Sequence, residues 1–171
     1  VRVVAAAVGL LTSLTLTAQA PRGRRADEAG ADFSPKPPVK ALSPAEQARR
    51  FILPPGYRME LVLAEPVIEN PVAMAFDGNG RLYVAEMRSY MPDADGANQR
   101  APVSRISLHE STKGDGTYDR HTVFVDNLVL PRFILPLDGS ILTMETDSDD
   151  IHEYRDTDGD GVADNKRLFY S

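Results

Sequence analysis

A chain of 171 residues with 42% apolar side chains has room for one sizeable core or two small ones, but thirteen of those side chains fall within residues 1–20. The remainder is lean, with 13 Pro, 12 Gly and no Trp, so a large helical bundle is not expected. Nineteen Lys plus Arg against 25 Asp plus Glu leave a net charge of -6, which argues against nucleic acid as a partner, and the absence of Cys excludes a disulfide framework, a thiol nucleophile and Cys-ligated zinc.

Arg2 precedes a charge-free run from Val3 to Leu16, and Ala18-Gln19-Ala20 supplies the small residues of a leader-peptidase site. Residues 1–20 therefore read as a signal peptide, predicting an exported protein, periplasmic or at the cell surface, with membrane association open to it. Residues 21–42 are Pro, Gly, Ala and charge, including Pro35-Lys36-Pro37-Pro38. Such a stretch lacks the apolar area to offset its ordering entropy and reads as a flexible spacer. A folded domain is expected over residues 43–171.

The first structural signal is Ser43-Pro44-Ala45-Glu46, a helix cap followed by proline at the first helical position, and Pro54-Pro55-Gly56 ends any helix begun there. The apolar period then changes to two. Tyr57, Met59, Leu61 and Leu63 alternate with polar or outward positions and predict a strand. Pro71 to Phe76 and Leu82 to Met87 flank Asp77-Gly78-Asn79-Gly80 and predict a hairpin. Further short strands are predicted at 104–109, 122–125, 132–137, 141–144, 151–154 and 167–170, which makes the class all-β.

A repeat organises these strands. Ser111-Thr112-Lys113-Gly114-Asp115-Gly116-Thr117-Tyr118-Asp119 returns 45 residues later as Asp156-Thr157-Asp158-Gly159-Asp160-Gly161-Val162-Ala163-Asp164, and Phe124 and Phe169 share the displacement. A unit of that size with about four short strands has the dimensions of a propeller blade. The fold expectation is a partial β-propeller of two to three blades, over residues 43–171. Because residues 51–171 are too few for a closed ring, the chain is expected to be the N-terminal fragment of a larger protein.

Chemistry is clearest in the second loop. Asp156, Asp158 and Asp160 stand at alternate positions, Gly161 allows a sharp turn, and the Val162 carbonyl and Asp164 can complete a hard oxygen shell suited to calcium. The residue in register with the bidentate Glu of a helix-loop-helix calcium site is Arg167, so the scaffold is a different one. In the first loop Ser111 and Lys113 replace two of the aspartates, and an ammonium there opposes a cation, so that loop is expected to keep the turn without the metal. The acidic run from Glu145 to Asp150 reads as a solvated loop. The long connection from Glu86 to Pro102 carries Arg88 and Tyr90, which suit an acidic group and a ring and are expected to contact a substrate or cofactor. His109, His121 and His152 follow no zinc or serine-hydrolase spacing and read as ordinary surface or strand-edge side chains, leaving the catalytic residues unknown.

Taken together, Phe51-Ile52-Leu53-Pro54-Pro55-Gly56-Tyr57, Pro71 to Asp77, Gly80 to Arg88 and the Asp156 to Asp164 loop resemble the planctomycete-type membrane-bound dehydrogenases, relatives of the soluble quinoprotein glucose and sorbosone dehydrogenases. The resemblance implies a six-bladed propeller that oxidises a sugar or alcohol with pyrroloquinoline quinone and calcium, and passes electrons to a cytochrome c domain or protein. The competing expectation is a non-catalytic, calcium-stabilised propeller module that binds glycans or proteins at the cell surface.

Overall fold

The computed structural model describes residues 40–171. The signal segment and nearly all of the spacer lie outside the described residues.

Ser43 caps α1 (Pro44–Ala48) as its sequence predicts. Its hydroxyl accepts from the Glu46 N–H at 3.3 Å, and its own N–H donates to Glu46 Oε2 at 3.0 Å, so two free donors are satisfied reciprocally. Among the described residues no helix is long and apolar enough to cross a membrane.

Eight strands follow. The first sheet contains β1 (Pro71–Phe76), β2 (Leu82–Glu86), β3 (Ser104–Glu110) and β4 (Arg120–Leu128). The second contains β5 (Leu135–Leu137), β6 (Ser140–Met144), β7 (Ile151–Arg155) and β8 (Asn165–Tyr170). In both, spatial order equals chain order and every neighbouring pair is antiparallel. The β1–β2 turn shows why so short a reversal holds: Asp77 Oδ1 accepts from the N–H groups of Asn79 and Arg81, both at 2.9 Å, while Gly80 takes φ 77°.

Strand alternation sends Tyr83 and Ala85 of β2, Ile106 and Leu108 of β3, and Phe124 of β4 into one core, joined there by Ile141 and Tyr154 of the second sheet. Tyr83 and Phe124 meet edge to face with ring centroids 5.1 Å apart. Burying each such side chain stabilises the fold by about 1.5–3 kcal/mol. Polar links reinforce this contact, since the Ala163 N–H donates to the Phe124 carbonyl at 2.8 Å and the Thr122 hydroxyl to the Gly161 carbonyl at 3.1 Å. The loop before β8 is thereby fastened to β4.

Two expectations are corrected. Residues 57–63 form no strand, although their side chains alternate. A strand requires a hydrogen-bonded neighbour, and β1 pairs only with β2. Met59, Leu61 and Leu63 instead line an apolar groove of about 920 Å³ together with Met74, Phe76 and Leu82. The partial propeller is also corrected, because the described strands form two separate four-stranded sheets and nothing closes them into a ring. A displacement of 45 residues measures a recurring strand–turn–strand unit, not an axis around which such units are arranged.

Candidate metal centre

The connection between β7 and β8 brings Asp156, Asp158 and Asp160 together, with one carboxylate oxygen from each lying within 4.8 Å of the others. Its backbone holds them there. Asp156 accepts from the N–H groups of Gly159 at 2.7 Å and Gly161 at 2.9 Å, Asp158 from Asp160 at 3.3 Å, and Asp160 from Val162 at 2.8 Å. Gly159 and Gly161 have φ of 82° and 90°, the left-handed region that glycine enters without strain. Partial burial works to raise the Asp156 pKa, but the Gly161 and Gly159 N–H groups outweigh it and hold the carboxyl below its ordinary range. The result is a group of acceptor-only oxygens suited to a metal ion.

Asp164 faces another task. The Thr157 N–H reaches its Oδ1 at 3.2 Å and the Thr157 hydroxyl its Oδ2 at 2.5 Å, closing the loop across its base. Val162 lies within the loop and contributes its N–H to Asp160.

The β3–β4 connection repeats this frame with different charges. Gly116 N–H donates to Ser111 Oγ at 3.2 Å where Gly161 donates to Asp156, and Thr117 N–H donates to Asp115 at 2.8 Å where Val162 donates to Asp160. Thr112 clamps Asp119 as Thr157 clamps Asp164. Lys113, standing where the other loop has Asp158, places its ammonium 3.4 Å from Asp119 Oδ2. The clamp and these two turn contacts are thus shared while the cluster of three carboxylates is not.

Arg88 and Tyr90, expected to contact a substrate or cofactor, stand in the connection between β2 and β3. The Arg88 guanidinium is committed to Glu69, with its Nη2 2.5 Å from Oε2, and Tyr90 is 60% exposed. Neither lines the apolar groove or the polar cleft beside the β3–β4 loop. The long connection is fixed internally, by Ser89 Oγ donating to the Gln99 carbonyl at 2.9 Å and Asp93 accepting from Asp95 and Ala97. In the acidic run, Glu145 accepts from the Val129 N–H at 2.6 Å and Asp147 pairs with Arg100 at 3.0 Å, so both work as connectors.

Two histidines with no sequence motif do meet. His109 of β3 lies opposite His121 of β4, and their Nδ1 atoms are 2.9 Å apart. His109 is fully buried, and its Nε2 lies 2.9 Å from Ser107 Oγ. Burial, followed by the neighbouring His121, lowers the His109 pKa to about 4.

Residues 43–171 match the family model described as a domain of unknown function, DUF7133. The chain belongs to the DUF7133 family. No curated protein and no solved structure matches it.

This family placement corrects the resemblance to membrane-bound quinoprotein dehydrogenases. The DUF7133 domain matches no known dehydrogenase or propeller. The sugar or alcohol dehydrogenase reading falls with that resemblance, as does the alternative of a glycan- or protein-binding propeller, since both required a propeller architecture. The DUF7133 histidine pair was missed because its partners come from different strands. A signal was present, for His109 and His121 stand six residues either side of Asp115, the centre of a turn, and a hairpin folded there sets them opposite each other.

Proposed function

We propose that the DUF7133 domain is an exported calcium-binding module in which Asp156, Asp158 and Asp160 hold the ion and calcium stiffens the loop fastened to β4. The observation supporting this is the convergence of three carboxylates on one loop, whereas a sister loop that keeps the threonine clamp and the two matching N–H contacts carries a lysine at the corresponding position. Calcium accepts six to eight oxygen ligands in flexible geometry, so water and backbone oxygen complete a shell that three aspartates begin. Magnesium demands near-ideal octahedral placement and sheds water reluctantly, which disfavours it in a small loop. Without a bidentate glutamate the expected affinity is in the range of extracellular modules, about 10⁻⁴–10⁻³ M. A site of that strength fills where calcium is millimolar, which agrees with the leader-like sequence of residues 1–20.

Calorimetric titration with calcium chloride tests the assignment. One exothermic or endothermic site is expected in the wild type and none in Asp158→Asn/Asp160→Asn, with a calcium-dependent rise in Tm confined to the wild type. At a calcium concentration ten times Kd the rise corresponds to about 1.4 kcal/mol. Equal calcium binding by the double variant would overturn the proposal.

A further inference from the structure

The contact between His109 of β3 and His121 of β4 tolerates only a limited number of protons. Their Nδ1 atoms lie 2.9 Å apart, so one of the two carries a hydrogen and the other a lone pair. Either assignment suits the rest of His109, because the Ser107 hydroxyl, 2.9 Å from its Nε2, can donate or accept. One added proton leaves the bond in place, since a charged ring still donates to a neutral one. A second puts N–H on both Nδ1 atoms, and the two hydrogens then face each other. The exposed His121 is open to water and takes the first proton, which leaves the second to His109.

His109 is also the last buried residue at this end of the hairpin. From Glu110 through His121 every residue is exposed or half-buried, and beyond the histidines the register partners are Glu110 and Arg120, an ion pair near the surface where the loop begins. We propose that the His109–His121 contact is an acid-sensitive latch, which keeps the loop end of the β3–β4 hairpin closed near neutral pH and releases it when both rings are charged. The position suits that task, because a bond between one buried and one exposed side chain ties the open end of the hairpin to its packed part.

The charged groups around His109 decide the pH at which this happens. Burial disfavours the charged ring most, and His121 comes next. Glu86 on β2 favours the cation and Arg105 on β3 opposes it, and these two are bound to each other at 2.9 Å. Burial and His121 therefore prevail and hold the His109 pKa at about 4. An opened hairpin end returns His109 to water, where its ordinary value is about 6.5. Opening takes up a proton, so the closed form is fully favoured above pH 6.5, loses ground as pH falls towards about 4, and loses no more below that. The latch involves no metal ion and is independent of the calcium assignment.

The test is amide hydrogen exchange of the full chain in chelator at about pH 7.5 and pH 5, with rates corrected for the intrinsic effect of pH. Protection at Leu108 to Glu110 and at Asp119 to Thr122, including the Asp119 N–H held by the Glu110 carbonyl at 3.0 Å, is expected to fall about 30-fold at the lower pH, while that of β6 and β7 stays unchanged. His121→Asn alters an exposed side chain and gives the charged His109 ring an uncharged oxygen to donate to, so a smaller fall is expected there. Unchanged wild-type protection, an equal fall in His121→Asn, or a fall shared equally by β6 and β7 overturns the proposal. Nitrogen-15 NMR of the wild type gives a check that needs no variant: His109 is expected to stay neutral after His121 has charged, and His109 charging near its ordinary value overturns the latch.

Discussion

Thr157 grips Asp164 with both of its donors, N–H to Oδ1 at 3.2 Å and hydroxyl to Oδ2 at 2.5 Å, and Thr112 holds Asp119 in the same way at 2.8 and 2.9 Å. The clamp therefore occurs both with and without the three-aspartate cluster, so it serves the loop before it serves any ion. Replacing either threonine by valine keeps the β-branch and the N–H and removes only the hydroxyl bond. Each change is expected to cost about 1 kcal/mol in urea unfolding with calcium chelated. Thr157→Val is expected to weaken calcium binding as well, measured by calorimetry, because the aspartates it organises become looser. Thr112→Val leaves calcium affinity unchanged.

The same clamp predicts a pH dependence. The Thr112 N–H and then its hydroxyl, aided by Lys113, hold the Asp119 pKa down to about 2. In the unfolded chain the group titrates near its ordinary value of about 3.9. A carboxyl depressed in the folded state contributes stability that is complete above the unfolded pKa and is lost as pH falls through the folded one. Wild-type protein is expected to exceed Asp119→Asn in stability above pH 4, with the difference shrinking through the interval to pH 2. Chemical unfolding of both proteins in chelator at stepped pH measures it, and a difference independent of pH would show that ionisation of Asp119 contributes nothing.

If charge alone separates the two loops, charge alone should convert one into the other. Ser111 and Lys113 hold the positions of Asp156 and Asp158, and Asp115 already occupies that of Asp160. The Ser111→Asp/Lys113→Asp variant is expected to raise calcium stoichiometry from one to two in calorimetric titration. Lys113→Ala, which removes the ammonium without adding a ligand, is expected to leave it at one. A double variant that still binds a single ion would show that the frame itself differs in some way its hydrogen bonds do not express.

The turns and strands were legible in the sequence because local chemistry decides them. Asp77 to Gly80 carries its own hydrogen-bond acceptors and glycines, and the Asp156 loop displays its alternating carboxylates openly. Tyr57 to Leu63 misled because alternation records which side chains are apolar, while strand formation depends on a neighbouring backbone that the segment does not reach. The propeller misled for a related reason, since a repeat describes a unit and closure belongs to the packing of many units. The register of Asp164 suits it to reach an ion directly or through water, while the Thr157 donors that also hold it come together only when the loop folds. The His109–His121 contact depends on cross-strand register, which one bulge would shift.

Gly161 and Gly116 occupy equivalent places in the two loops, with φ of 90° and 82°, yet their surroundings differ. A Cβ on Gly116 would meet nothing within 4 Å, whereas one on Gly161 would lie 2.9 Å from Thr122 Oγ1 and 3.4 Å from its Cγ2. Gly116→Ala is therefore expected to carry only the backbone penalty, about 1–2 kcal/mol. Gly161→Ala adds a steric conflict with a short β-branched side chain that cannot swing aside without losing its bond to the Gly161 carbonyl, and about 3 kcal/mol is expected in total. Thr122→Ala in the Gly161→Ala background should recover part of that loss, because it removes the obstructing atoms, and the two changes should be non-additive. Equal destabilisation by the two glycine substitutions, measured by urea unfolding in chelator, would show that the loop before β8 is not fastened to β4 as tightly as the 3.1 Å contact between Thr122 and Gly161 implies.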